Sequence, residues 1–372
     1  MAQPTTILLA LMKLDIGGAE THAVVLCRHL TEMGYRVIMA SYGGCFVEEI
    51  ARYGVKHYRV PLHLPRISYI WQSMREMRRI VAEEGVDLIH AHARIPAFVA
   101  AFMGRPPHVR FITTAHFNFD YRYGLKYLSQ WGERTIAVSE DIKEHLVRHF
   151  GVPAEQIVVI PNGIDTEAFS PAIAGEHPPG RGRPAIVLVS RLDGELATVA
   201  QNLIAACAVV YEQAPGMRVS IVGDGNRRAE VAKSAAELNA RAGREVVRLL
   251  GACTQVNKIL VQNDLVVGVS RVALEAMACA RPVLLAGPQG FGGLLDAGDL
   301  PSFQKDNFTA RSRDEQSTVD NLANALREFL RRPPDWRAET GRIFREFVIQ
   351  EYSGRKMARD VARVYEEVLS TP

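Results

Sequence analysis

No run of about eighteen apolar residues occurs in this chain, so no membrane-spanning helix is expected. The apolar N-terminal stretch "ILLALM" is short, has no basic flank before it and no small-residue cleavage site; it reads as a first β-strand and not as a signal peptide. Cysteine is sparse: the five (Cys27, Cys45, Cys207, Cys253, Cys279) form no CxxC pair and are odd in number, as expected of reduced thiols in a cytosolic protein. Neither a Walker A pattern nor a GxGxxG after the first strand is present, which leaves P-loop and dinucleotide readings without a motif. Internal repeats and low-complexity tracts are absent, and nothing points to nucleic acid as a partner.

Strong charge of one sign is lacking too. The net charge is +3, made of +4 in residues 1–150 (18 Lys and Arg against 14 Asp and Glu) and −1 in the remainder. Ten of the eleven histidines fall in those first 150 residues. A mildly basic, His-rich first half suits an anionic partner or membrane surface, and ordinary scatter produces the same asymmetry.

What is present is a soluble globular composition, 48% hydrophobic and 23% charged, over 372 residues, a length for two domains. Short apolar runs alternate with segments of helical period. "TILLALM", "RVIMASY", "DLIHAH", "RFITTAH", "RTIAVS" and "QIVVIPNG" are strand candidates; between the first two, Ala23, Leu26, Cys27, Leu30 and Met33 form a helical stripe. The rhythm stops in the Pro- and Gly-rich segment 168–184 and resumes with "AIVLVS", "RVSIVGDG", "VVRLLG", "DLVVGVS" and "RPVLLAG". This predicts an α/β protein of two doubly wound, Rossmann-like domains, 1–167 and 185–352, facing a central crevice across a linker at 168–184. Trp336–Leu369 reads as helical throughout, and a last helix over 353–372 is expected to pack back on the first domain.

Several stretches, in order, resemble the retaining glycosyltransferases of family 4: "GGAETH", "TTAH", "AVSEDIKEHL", "IPNGIDTEAFSP", "VSRLDGE", "IVGDGN" and "LEAMACARPV". The resemblance runs from residue 17 to the end and implies the GT-B fold. It also implies a nucleotide-diphosphate sugar as donor, UDP- or GDP-linked, with retention and without metal or other cofactor. The acceptor would be a hydroxyl of a saccharide or a lipid-linked acceptor, as in polysaccharide biosynthesis. Gly17 and Gly18 are either a tight βα turn or a place where backbone N–H groups approach a phosphate; the resemblance favours the second. His116, at the end of a strand, is either structural or, by resemblance, beside the transferred sugar. Arg191 follows the second domain's first strand, where a guanidinium stabilises a leaving pyrophosphate; its alternative is a surface arginine. His116 and Arg191 are thus the catalytic candidates. Gly17, Gly18, Arg191, Gly223 of "IVGDGN", Arg271 and Glu275 are the candidates for donor binding. Glu275 would take the ribose hydroxyls, or stabilise a helix N-terminus as a first-turn acid. His90 and His92 share a strand face, but no third ligand lies at a recognisable spacing, so no metal is expected.

The chain departs from the family pattern in places. The phosphate lysine expected five residues after Arg191 is Leu196, the first acid of a pair eight residues apart is Val267, and the usual glycine before "RPV" is Ala280. A lost charge-assisted contact is worth about 1.5–3 kcal/mol. Arg271, four residues before Glu275, either supplies part of that charge to the donor or pairs with Glu275 on one helical face. These departures keep open a non-catalytic nucleotide-sugar-binding relative; a sugar-nucleotide epimerase on the same fold is the other alternative. On the acceptor side, Arg66–Glu84 reads as a helix with Ile70, Trp71, Met74, Met77 and Val81 apolar and Arg66, Arg75, Arg78 and Arg79 basic. It either packs its stripe on the sheet or docks on an anionic bilayer, which would make a cytoplasmic protein peripheral at the membrane's inner face.

Overall fold

The computed structural model describes residues 4–174 and 183–371. It divides into two compact units, Met1–Gly163 with Ser353–Pro372, and Ile164–Tyr352. Residues 175–182, the middle of the expected linker, lie outside the described residues.

The first unit is built on seven strands: β1 (Thr6–Ala10), β2 (Arg36–Ser41), β3 (Lys56–Arg59), β4 (Leu88–Ala91), β5 (Arg110–Ala115), β6 (Arg134–Ala137) and β7 (Ile157–Val159). All pairings are parallel, in the order β3-β2-β1-β4-β5-β6-β7. β1 and β4 are buried along their whole length, which is why β1 is a continuous apolar run and β4 is apolar except for His90, whose nitrogens are both hydrogen-bonded. Because the order reverses between β1 and β4, the helices after them leave on opposite faces and open a cleft at the strands' C-terminal ends.

The second unit repeats the logic with β8 (Ala185–Val189), β9 (Arg218–Val222), β10 (Val247–Gly251), β11 (Leu265–Gly268), β12 (Val283–Ala286) and β13 (Phe291–Leu294). The order is β10-β9-β8-β11-β12-β13, parallel except for the antiparallel edge strand β13. Here the reversal falls between β8 and β11. The helix after β8, Gly194–Val210, together with the turn to Gln213, has the length and apolar character of a membrane span, yet Ala197, Ala200, Leu203, Ala206, Cys207 and Val210 are fully buried in this unit's core.

Three helices differ from the sequence expectation. The first, Gly18–Glu32, ends one residue before Met33, the last member of its expected stripe, which stands as the C-cap. The C-terminal stretch is not one helix: Pro334–Glu351 stops at Tyr352, and Ser353 caps a new helix, Gly354–Ser370, by accepting from the Lys356 N–H. That last helix belongs to the first unit, where Met357, Val361 and Tyr365 join a core containing Leu9 and Leu26. The helix Ile67–Glu84 packs Met74, Met77, Ile80 and Val81 onto the sheet, whereas Ile67 and Trp71 in its first turns are 79% and 66% exposed.

Candidate functional site

Both reversals gather chemistry at their strand ends. In the first unit, Gly17 caps the helix Gly18–Glu32 after β1. Its backbone is extended, so conformation does not require glycine; a Cβ there would meet the Glu20 carboxylate, the movable end of a flexible side chain. Glu20 therefore folds back over the helix N-terminus, and the negative charge attracted there is the chain's own. Burial pushes its carboxyl above the usual range, and its own backbone N–H pulls it back. Gly18 is exposed, with open space where a Cβ would stand.

One turn along that helix, His22 meets His92 and His116, which stand just past β4 and β5. His92 Nδ1 and His116 Nε2 are 3.2 Å apart. His92 is 2% exposed, and its Nε2 has no hydrogen-bond partner among the described residues. Burial holds His92 well below the ordinary imidazole range and pushes His116 down to about 4, so at neutral pH both act as neutral donors and acceptors. His90, facing the same way in sequence, is used structurally: its two nitrogens bond Tyr365 Oη at 2.7 Å and Thr114 Oγ1 at 2.6 Å.

The sequence spacing offered no third partner for His92; the fold supplies two. The ligand nitrogens of His22, His92 and His116 lie within 4.8 Å of one another, a donor set of the kind that takes a divalent transition metal. Zinc–imidazole bonds of about 2.0–2.1 Å would require them to close to separations of roughly 3.4 Å.

A cavity of about 1030 Å3 adjoins this cluster and includes His92 and Glu20 in its wall. The rest is mainly apolar, with Trp71, Phe98, Phe102, Phe117 and Phe119 the large contributors. Sequence reading missed this cavity, whose walls come from helices and loops distant in the chain.

In the second unit, Arg191 follows β8, exposed, its guanidinium without a hydrogen-bond or ion-pair partner among the described residues. Gly223 follows β9 with φ +146°, and a Cβ there would be 1.8 Å from the Ser190 carbonyl oxygen, so only glycine fits. The two loops are locked together: Leu192 N–H donates to the Asp224 carbonyl at 2.9 Å and Asn226 N–H to Asp193 Oδ1 at 2.7 Å. Arg227 is the nearby cation that is not available, bonded to Gly194, Thr198, Gln201 and Glu230. Leu196 lies half-buried in the first turn of the helix Gly194–Val210, so no cation stands there.

Two sequence readings are corrected at β11. Glu275 is not a first-turn acid: the helix is Arg271–Ala278, and Glu275 is its fifth residue. Val267 is not a site-lining position that has lost its acid. It is fully buried in β11, and only Val269 and Ser270 separate that strand from the helix. An acid at 267 would be inside the sheet; the whole loop that would carry it is short. Ser270 takes φ +52° and ψ −122°, a strained conformation for a residue with a Cβ, held by its N–H to the Phe308 carbonyl at 2.7 Å and by Asn307 Nδ2 on its hydroxyl at 3.2 Å. Of the two roles open to Arg271, the pairing is the one observed: its Nε is 2.7 Å from Glu275 Oε1, with the two side chains 15% and 10% exposed. Burial raises the Glu275 carboxyl above its ordinary range, and Arg271 opposes the rise.

The glycosyltransferase family 4 model matches residues 16–168, and the model for family 4 glycosyltransferases in conflict systems matches residues 128–361. A phosphatidylinositol N-acetylglucosaminyltransferase gpi3 subunit of Schizosaccharomyces pombe is 24% identical, over 95% of this chain and 78% of its own length. An uncharacterized glycosyltransferase of Methanocaldococcus jannaschii is 25% identical, over 95% of both chains. Among solved structures, a glycosyltransferase of Rickettsia africae superposes with a TM-score of 0.77 at 18% identity, covering 100% of both chains. Anabaena HepE in complex with UDP gives 0.75 at 17% identity, over 98% of this chain and 100% of that one.

Proposed function

The chain belongs to glycosyltransferase family 4, with the GT-B fold, and we propose that it moves a sugar from a nucleotide-diphosphate sugar to an acceptor hydroxyl with retention of configuration and without a metal. The observation that carries the donor side is Arg191, an exposed guanidinium without a partner among the described residues, beside a glycine that keeps the β8 and β9 ends close. That edge of a parallel sheet, at a strand-order reversal, suits a pyrophosphate. Glu275, oriented by Arg271, takes the ribose hydroxyls.

The acceptor is held by the first unit, where His92 and His116 offer neutral imidazoles to hydroxyls. In the transfer, the bond from the acceptor oxygen to the sugar's anomeric carbon forms as the bond from that carbon to the diphosphate oxygen breaks. The hydroxyl proton leaves with the diphosphate. Arg191 stabilises the charge that develops on the leaving group, which is why a cation there raises rate and not only affinity. On this reading the protein works in the cytoplasm, with the exposed Ile67 and Trp71 of the helix Ile67–Glu84 available for peripheral contact with the membrane's inner face.

Release of nucleoside diphosphate from a panel of UDP- and GDP-sugars tests this reading. Arg191→Gln is expected to lower turnover about 10- to 100-fold, the value of a charge-assisted contact. Epimerised donor would identify an epimerase, and binding without turnover a non-catalytic relative. Either result overturns the proposal.

A further inference from the structure

We propose that the acceptor is an amphipathic, phosphate-bearing lipid whose chain lies in the aromatic cavity of the first unit. The inference rests on the reading that this unit holds the acceptor, and it names the class.

The cavity, about 1030 Å3, is at the upper end of the size of small-molecule sites, roughly 300–1,000 Å3. Its wall is the wrong chemistry for a free saccharide. A sugar presents hydroxyls all round, and each one buried without a partner costs free energy. Against that need the wall offers five titratable side chains, Glu20, Arg78, His92, Arg94 and Asp120. Arg94 is already engaged, with Nε on Ser129 Oγ at 2.9 Å and a second nitrogen on the Asp120 carbonyl. The remaining wall is aliphatic and aromatic, which a hydrocarbon chain fills and a sugar does not.

Around the cavity stand side chains that a water-facing surface does not need. Ile67 is 79% exposed, Trp71 66%, Phe102 55%, Phe117 54% and Leu128 48%, contributed by three helices and the loop after β5, and all line the same space. Scattered apolar residues at a surface need no explanation; a contiguous set around an apolar cavity does. The charge beside it supplies complementarity. On the helix that carries Trp71, Arg75 and Arg78 line a second open space with Trp71 and Gln72. Arg78 donates its Nε to the Met74 carbonyl at 3.3 Å, and its terminal nitrogens have no partner among the described residues; Arg75 touches Glu76 at 3.3 Å. Guanidinium groups beside an apolar cavity match a phosphate beside a chain. His92 Nε2, buried without a partner in the same wall, is placed to meet a hydroxyl of the lipid's polar end.

The test uses the full chain, with Trp71 as reporter. Vesicles of phosphatidylcholine containing phosphatidic acid brominated on its acyl chains are titrated against the protein, and vesicles of brominated phosphatidylcholine alone serve as the reference. Tryptophan quenching by the phosphate lipid, lost in Trp71→Phe, is expected. Phe102→Ser with Phe117→Ser should weaken that binding at least tenfold, since both rings would bury their exposed halves against the chain. Arg75→Gln with Arg78→Gln should remove the preference for the phosphate lipid. Thermal unfolding and nucleotide binding by the second unit report that the variants are folded. Absence of quenching, or quenching that the aromatic pair leaves unchanged, overturns the inference. Nucleotide binding measured alone separates the two ideas. If nucleotide binds and the lipid does not, the lipid class is wrong and the transferase reading stands; if the lipid binds and no nucleotide sugar is turned over, the reverse holds.

Discussion

Replacing Arg271 by methionine keeps an unbranched stem as far as the position of Nε and removes the guanidinium charge, leaving Glu275 buried alone. The pair is 2.7 Å apart, with side chains 15% and 10% exposed, so little water is available to either ion. Removing one partner of a buried pair costs about 3–5 kcal/mol, and the residual exposure of Arg271 places the expected loss near the lower figure, about 3 kcal/mol. The pH dependence identifies the cause. Glu275 has its carboxyl raised above 4.5 by burial. Below pH 4.5 it is protonated in folded and unfolded chains alike and costs nothing. As pH rises, the unfolded chain ionises first, so stability is lost until the folded carboxyl ionises too. Arg271 limits that loss. Without it the folded carboxyl rises further, and the penalty of Arg271→Met should grow from pH 4.5 to pH 7. Urea denaturation at both pH values measures it, and adding Glu275→Gln should return most of the loss. A penalty below about 1 kcal/mol, or one equal at both pH values, would refute the argument that the pair is a buried ion pair. Nucleotide affinity should fall in the same variant, because Glu275 loses the group that orients it.

Two further predictions follow from backbone and charge. Ala280 sits at φ +56°, a left-handed conformation that costs an L-residue about 1–2 kcal/mol. Ala280→Gly should therefore stabilise the chain by roughly 0.5–1 kcal/mol after the extra entropy of the unfolded glycine is set against it; destabilisation in urea would show that the strain is relieved some other way. Glu84 is 8% exposed and accepts from Lys56, Tyr58 and Arg36, which hold its carboxyl down to about 2. A depressed carboxyl stabilises above the unfolded value of 4.5, and that contribution is lost as pH falls through about 2. Glu84→Gln should therefore lower the melting temperature at pH 7 and lower it progressively less toward pH 2, and a pH-independent difference would count against the charge argument.

Buried parallel strands are legible in sequence because both faces must be apolar: β1, β8 and β11 are continuous runs such as "TILLA" and "AIVLV". Two of the four edge strands are not. β3 is "KHYR", largely facing water, and β13 is "FGGL", antiparallel and half glycine; neither carries a period or an apolar run. The site divides on the same line. Arg191, Gly223 and Glu275 belong to short motifs close to strand ends, so sequence alone can nominate them as candidates. The meeting of His22, His92 and His116 depends on strand order, which brings β4 and β5 beside the helix after β1, and no spacing along the chain encodes it. The register of Val267 was hidden for a related reason: counting residues back from Glu275 ignores how short the loop before Arg271 is.

The helix Gly354–Ser370 has a consequence for how the chain is made. Its Met357, Val361 and Tyr365 complete the core around Leu9 and Leu26, and Gly354 approaches so closely that a Cβ would lie 2.5 Å from Val25. Synthesis normally lets the N-terminal domain finish first. Here residues 164–352 are a contiguous unit that can close on itself while the earlier 163 residues wait, their core open, for a segment not yet translated. The part of the protein that leaves the ribosome first is the part that finishes folding last, and during that interval the face around Leu9 and Leu26 is the one a chaperone would have to cover.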